Sequence, residues 1–289
     1  MLALGPATRL PGIVITETSL TGTFLAGNDG FSVSGSHTCA MDEFDVPESH
    51  PRYESLLTRH RIEVGVEKGI TSTAGLVAHG RGEAFDYLLG EETIPSADEA
   101  ERVAAAHLLL ADHPVISVNG NVAALTPEGV GDLAAATGAD VEVNLFGRTD
   151  ERMRAIVDHL AEFGVTGVKG LAGDAEIPGL DHDRGLVDAD GIYDADVVLV
   201  PLEDGDRAEA LGEMGKTEIV IDLNPLSRSS RAAAVPIVDN LIRAIPNITD
   251  HAEDLADAEE AELQAIVDAF DPDEARREAE AAIRSGELS

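Results

Sequence analysis

Five short apolar runs in this sequence each end in residues suited to a phosphorylated ligand. Residues 115–118 lead into Asn119-Gly120-Asn121, 141–146 into Gly147-Arg148-Thr149, and 197–202 into Glu203-Asp204-Gly205-Asp206-Arg207. Residues 219–221 lead into Asp222-Leu223-Asn224-Pro225-Leu226-Ser227-Arg228, and Val238 into Asp239-Asn240. Amides and guanidinium groups hold phosphate oxygens, and carboxylates emerging from a buried strand hold a magnesium ion that bridges them. Asp204 and Asp206 are the metal-ligand candidates, with Arg207 beside them. Turn chemistry explains any one of these loops alone. Five on one sheet edge predict a site for a large polar ligand, because open parallel sheets bind ligands at the carboxyl ends of their strands.

Two further groups could meet phosphate. Gly80-Arg81-Gly82-Glu83 reads as a turn opening a helix, where free amides and a fixed guanidinium suit an anion. Upstream, Arg52 and Arg59 are seven residues apart and share a helix face, although Glu63 offers Arg59 an ion pair one turn on. Other patterns fail on inspection. The run 212–217 has the look of a phosphate-binding loop, but Ala210 stands where its first glycine belongs, and it leads into a strand. Gly129-x-Gly131-x-x-Ala134 is cut off from the preceding strand by Thr126-Pro127, so it is no dinucleotide fingerprint. Asp188-Ala189-Asp190-Gly191 lacks the later glutamate of a calcium loop and reads as a turn. No Ser-His-Asp or Cys-His arrangement is evident, which argues against covalent hydrolysis.

The elements that must carry these residues alternate along the chain. A helix is expected from Pro51 towards Gly69, a second over 84–89 after the glycine-rich passage 75–82, and a third from a Ser96-x-x-Glu99 capping box. Runs rich in β-branched residues at 115–118, 141–145, 165–168, 197–200, 219–221 and 235–238 then predict strands, with helical stretches between several of them. The expected fold is α/β: a Rossmann-like parallel sheet with helices on both faces, a helical N-terminal section and an acidic helical C-terminal tail. Residues 41–248 are expected to form one catalytic domain, and 249–289 a peripheral acidic tail. Residues 1–40 carry only Glu17, Asp29 and Arg9 as charges and end just before Met41, which suggests an extension from a misplaced start or a disordered arm.

Charge narrows the function. The chain has 289 residues with 55 Asp and Glu against 20 Lys and Arg, a net −35 at pH 7, which excludes a general nucleic-acid binder. Hydrophobic residues make up 44% and the mean hydropathy is −0.02, enough apolar material for a core. No run reaches membrane-spanning length and no secretory signal opens the chain, so a cytoplasmic protein is expected. The single cysteine, Cys39, excludes an internal disulfide. The only lysines are Lys68, Lys169 and Lys216. Such acidity is tolerable where molar salt shortens the screening length to about 3 Å, as in a haloarchaeal cytoplasm. Against that background a retained cation points to a local task.

Longer strings carry a resemblance. Ser49-His50-Pro51-Arg52-Tyr53, GVEKGITSTAGLVAHGRGEAFDYLLGEET from Gly65, PVISVNGNVAAL from Pro114, EVNLFGRT from Glu142, ADVVLVPLEDGDRAEAL from Ala195 and IDLNPLSR from Ile221 resemble the archaeal 4-phosphopantoate–β-alanine ligase, or phosphopantothenate synthetase, family from about Pro47 to Ile248. The resemblance implies a magnesium-dependent homodimer that acts in coenzyme A biosynthesis, joining 4-phosphopantoate to β-alanine with ATP and releasing AMP and diphosphate through an acyl-adenylate. It further implies nucleotide contacts from Arg59, Arg81, Asp204, Gly205, Asp206, Arg207, Asp222, Leu223, Asn224 and Pro225. Lys68, Arg81 and Asn121 would serve phosphopantoate or the adenylate, and Asp204 or Asp206 the magnesium ion. Ala208 departs from the pattern, where a threonine is expected after Arg207. An ADP-forming ligase that works through an acyl phosphate, and a nucleotide-sensing module without turnover, are the alternatives.

Overall fold

A computed structural model describes residues 44–202 and 204–285. The suggested extension 1–40 and Glu203 lie outside the described residues. Three helices lead: α1 (Tyr53–Glu67), α2 (Thr73–Leu89) and α3 (Pro95–Leu110). Five parallel strands follow: β1 (Pro114–Val118), β2 (Asp140–Val143), β5 (Val197–Pro201), β6 (Thr217–Ile221) and β7 (Val235–Ile237), in the order β2-β1-β5-β6-β7. The crossovers carry α4 (Gly120–Leu125), α5 (Pro127–Thr137), α6 (Asp150–Glu162), α7 (Gly205–Glu213) and α8 (Arg228–Ala232). A small antiparallel pair, β3 (Ala175–Glu176) with β4 (Leu186–Val187), decorates the path to β5. The chain closes with α9 (Leu241–Asp254), α10 (Glu260–Asp268) and α11 (Pro272–Ser285).

Alternation along the strands sorts side chains to two cores, as the expected helices on both faces require. Ile116, Val118, Leu199, Ile219 and Ile221 pack with Val103 and Leu108 of α3 and with Ile245 and Ile248 of α9. Val115, Val198 and Val200 face the other way, onto Leu211 of α7 and Ile177, Val187 and Ile192 of the β3–β4 excursion. Both faces being covered explains the unbroken apolar runs. Buried carboxylates pin the excursion. Glu142 accepts hydrogen bonds from the Asp188 and Ile192 amides at 3.0 and 2.6 Å, and Asp188 from those of Gly170 and Gly173, both at 2.7 Å. The run 188–191 is therefore a turn with a structural carboxylate.

Four local expectations are corrected. Residues 165–168 do not form a strand: Gly164, Gly167 and Gly170 take φ of +84°, +70° and +104°, and this leaves a single bridge between Glu142 and Lys169. Ser96 does not cap α3, which starts one residue earlier with Pro95 in its first turn. The glycine-rich passage 75–82 lies inside α2, so Gly80-Arg81-Gly82 is no turn and its amides are not an anion site. Gly75 and Gly82 serve close packing, whereas Gly80 faces open space: a Cβ on Gly75 would lie 2.2 Å from Asn121 Oδ1. Finally, the acidic tail is built in, since Leu263 of α10 joins the main core and Ala279 of α11 packs with Phe85, Leu89 and Val238.

A polar network joins α2, α3 and α9. Asn247 Nδ2 donates to Glu101 Oε2 and Thr93 Oγ1, Thr93 donates to Asp239, and Arg243 bridges Asp239 and Asp86. Burial, and then the charge of Asp239, push the Glu101 pKa up to about 9. A raised carboxyl pKa stabilises the fold below the unfolded value and loses that stabilisation as pH climbs towards the folded one, by up to about 1.4 kcal/mol per unit. Glu101→Gln removes this dependence. Its stability relative to the wild-type protein is expected to improve steadily between about pH 5 and pH 9 in urea titrations; a difference that stays constant with pH would contradict a neutral Glu101.

Candidate nucleotide cleft

The sheet order reverses direction between β1 and β5, and their carboxyl ends are stitched there by Asn119 Nδ2 donating to Pro201 O at 2.9 Å. Such a switch point leaves a crevice outside the strand ends. Beside it opens a cleft of about 560 Å³, within the usual range for a nucleotide-sized ligand. Its lining gathers Arg81, Asp204, Asp222, Leu223, Asn224 and Pro225, with Phe85 and Leu88 of α2, Leu202, Ser227, Ser229 and Ile283.

Each wall follows from local sequence. Asp222 leaves β6 and its Oδ2 accepts from Ser227 Oγ at 2.6 Å, while Asn224 Oδ1 accepts from the Leu226 amide at 3.0 Å, so the Asn-Pro-Leu-Ser turn is braced by its own side chains. Leu202, before the acidic loop, takes φ +59°, a left-handed conformation rare outside glycine, at the point where the chain turns from β5 towards α7. Arg81 is exposed on α2 and makes no hydrogen bond or ion pair among the described residues. One exposed guanidinium and two carboxylates thus line the same cleft, a set of groups able to meet phosphate oxygens and a cation.

The remaining expected residues lie elsewhere. Arg59 pairs with Glu83 at 2.7 Å and not with Glu63; Glu83 lines a second hollow of about 290 Å³ on the far side of α2. Asp206 is outside the cleft lining and bonds His182 at 3.1 Å. Partial burial raises its carboxyl pKa, but His182 and backbone amides more than offset this and hold it low. Arg207 is fully buried behind the cleft, reaching Ser117 Oγ at 3.4 Å. Gly205 begins α7, and a Cβ there would lie 2.4 Å from Arg228 Cβ. Lys68 caps α1 and pairs with Glu162 at 3.4 Å, near the end of α6 remote from the sheet edge. Asn121 is buried, and its Nδ2 donates to Gly75 O at 2.9 Å, which seats α2 on the β1–α4 turn. Sequence reasoning missed Arg184, which bonds Asp204 at 2.7 Å and Asn144 at 3.2 Å, and Ile283, an apolar contact from the tail. No cluster of three or more His, Cys, Asp or Glu suited to a metal occurs among the described residues.

A five-stranded parallel sheet covered on both faces, with a polar cleft at the strand ends, defines a Rossmann-like α/β protein. The chain belongs to the phosphopantothenate/pantothenate synthetase family, whose profile matches residues 96–286. That match runs through α10 and α11, past Ile248 where the sequence resemblance stopped. The chain is similar to a 4-phosphopantoate–β-alanine ligase of Thermococcus kodakarensis, 55% identical over 228 residues, 78% of this chain and 87% of the relative. Relatives of the same name from Methanosarcina mazei and Methanospirillum hungatei are 56% and 59% identical over 227 and 210 residues, covering 78% and 73% of this chain and 89% and 86% of theirs.

Proposed function

We propose that this protein ligates 4-phosphopantoate to β-alanine with ATP, giving 4′-phosphopantothenate, AMP and diphosphate in coenzyme A biosynthesis. The observation that carries the reading is the convergence of Arg81, Asp204 and Asp222 on one cleft in a chain more than half identical to named ligases. A carboxylate does not condense with an amine in water until its oxygen becomes part of a leaving group. Attack of the phosphopantoate carboxylate on the α-phosphorus of ATP, with loss of diphosphate, forms the acyl-adenylate. The β-alanine amine then attacks the acyl carbon and AMP departs. Two polyanions must meet, so the protein acts by positioning and charge neutralisation. Arg81 binds nucleotide phosphate, the 222–225 turn shapes the cleft wall, and Arg184 holds Asp204 in place.

Magnesium fits this donor set, because the ion is usually bound by one or two carboxylates together with substrate phosphates. Asp204 and Asp222, which share the cleft, would hold it, in preference to the Asp204 and Asp206 pair; bound there it would neutralise polyphosphate charge. The acidity of the chain suits a cytoplasm of molar salt, and no helix among the described residues is long and apolar enough to cross a membrane.

The working form is a homodimer. Leu76 and Tyr87 lie eleven residues apart on one face of α2, and Val77, 72% exposed, lies about a quarter-turn round the helix from them, so α2 offers apolar surface for a dimer. Sedimentation equilibrium in molar KCl is expected to give about twice the 30.3 kDa chain mass, and Val77→Glu about one chain mass. A wild-type mass of 30 kDa would contradict the dimer. The ligase reading itself is tested by the nucleotide product, described at the close of the Discussion.

A further inference from the structure

On the other side of the switch point two arginine side chains have no acidic partner among the described residues, although the Arg148 main-chain amide donates to Asp183 at 2.9 Å. Arg152 lies in the first turn of α6, and Arg148 directly precedes its N-cap, Thr149. Arg152 donates from Nε to Ile70 O at 3.0 Å and from Nη1 to Phe146 O at 3.3 Å. Arg148 donates from Nη2 to Gly170 O at 2.6 Å and to Leu171 O at 3.4 Å, and its Nη1 is buried without a hydrogen-bond partner. Neither guanidinium has a carboxylate within ion-pair distance among the described residues, in a chain where acids outnumber bases 55 to 20. Main-chain oxygens fix their geometry but leave both net charges uncancelled. Burial pushes the Arg152 pKa down, the mark of a desolvated cation without a counter-ion. A folded protein keeps such a pair at a cost unless an anion arrives to match it.

The surroundings suit a phosphate. Gly120, at the start of α4, lies so close that a Cβ would be 2.8 Å from Arg152 Nη2 and 2.3 Å from Ile70 O. Arg152 therefore sits against the turn that leaves β1. Three residues beyond Ile70 the 17-residue helix α2 begins, and Ser72 makes no side-chain cap to its first amides. The positive ends of α2 and α6 thus flank the two arginines.

Position ties this cluster to the nucleotide cleft. From Thr73 to Arg81 along α2 is eight residues, about 12 Å at the helical rise. A short acid that bears its own phosphate at the opposite end from its carboxylate fits within that span. With its phosphate at the arginines, its carboxylate would extend towards the nucleotide cleft that Arg81 lines.

We propose that Arg148 and Arg152 form the site for the phosphate monoester of 4-phosphopantoate, separate from the nucleotide cleft, and so select the phosphorylated acid over the unphosphorylated one. The identity of the ligand rests on the ligase reading; the anion site rests on the arginines. In this arrangement they take the part that the sequence resemblance suggested for Lys68.

The test is titration calorimetry of the full chain with 4-phosphopantoate, pantoate and ATP, for the wild-type protein, Arg148→Met, Arg152→Met and Arg152→Lys. The wild-type protein is expected to prefer phosphopantoate over pantoate by at least tenfold, on the order of one charge-assisted contact. Each methionine variant should lose about tenfold in phosphopantoate affinity while keeping its pantoate and ATP affinities, and Arg152→Lys should recover part of the loss. Undiminished preference in both methionine variants would overturn the site. Arg152 also braces Ile70, so if Arg152→Met does not fold, Arg148→Met and Arg152→Lys decide: wild-type preference in both overturns the site, and reduced preference in both supports it. Phosphopantoate binding that depends on the arginines, with no AMP released on adding ATP and β-alanine, would sustain the anion site and overturn the ligase reading.

Discussion

Asp222→Ala is expected to lower kcat/KM by about a thousandfold while the protein still folds. Its carboxylate has two tasks at the end of β6. One is structural: Oδ2 accepts from Ser227 Oγ at 2.6 Å and Oδ1 from the Asn224 amide at 3.3 Å, so the turn that walls the cleft depends on it. Hydrogen bonds to a charged group contribute about 1.5–3 kcal/mol each. The other is electrostatic, because Asp222 and Asp204 line the same cleft as Arg81. Losing a carboxylate that would hold the magnesium ion against the polyphosphate costs a further 2–4 kcal/mol, on the order seen for preorganised electrostatic groups. Together these amount to at least about 4 kcal/mol, or three decades in rate. Asp222→Asn keeps the side-chain shape but offers one acceptor where the turn uses two, so it should unfold at a midpoint between those of Asp222→Ala and wild type, yet recover little activity. Steady-state kinetics with ATP varied, beside urea titration, separates the two tasks. A loss below tenfold for both variants would place the carboxylate away from the chemistry.

Gly120→Ala is expected to cost about 2–3 kcal/mol of stability and roughly a hundredfold in kcat/KM. A methyl group there would meet Ile70 O at 2.3 Å, a main-chain atom that cannot yield without moving the loop between α1 and α2. Arg152 Nη2, 2.8 Å away, would also be displaced, and with it the hydrogen bond to Ile70 that ties α6 to this loop. The loop leads into α2, which carries Arg81 to the cleft, so one methyl disturbs both ends of the site. Gly82→Ala serves as a control on α2: its nearest neighbour, the Asn240 side-chain amide at 3.2 Å, can shift a little, and the cost should stay near 1 kcal/mol. Urea midpoints and kinetics with 4-phosphopantoate varied check both. Equal stability of Gly120→Ala and wild type would mean that the loop is not pinned.

These residues also show what the sequence made legible. The runs at 115–118, 197–200, 219–221 and 235–238 read as strands because parallel strands buried on both faces need continuous β-branched and aliphatic residues. Residues 165–168 have the same composition, but flanking glycines with positive φ break the ladder. Gly80-Arg81-Gly82 has the sequence of a turn because glycine usually marks one, whereas the glycines at 75 and 82 are set by contacts with Asn121 and Asn240, more than forty positions away in the chain. The polar ends of β5 and β6 are legible in the sequence, and Asp204 and Asp222 from those loops line one cleft. Which polar residues face it was hidden, since Arg207 and Asn121 turn inward to tertiary partners. The tail carries little signal because its buried side chains are mostly alanine, and among its described residues only Ile283 reaches the cleft lining.

The most direct test of the central claim is nucleotide product analysis in molar KCl with magnesium, comparing the complete mixture of ATP, 4-phosphopantoate and β-alanine with mixtures lacking either acid. AMP and 4′-phosphopantothenate in equal amounts, formed only in the complete mixture, is the predicted result. ADP would contradict the adenylate route and require an acyl phosphate. Folded protein that binds ATP but turns over none of it would contradict the ligase itself and leave a nucleotide-sensing module.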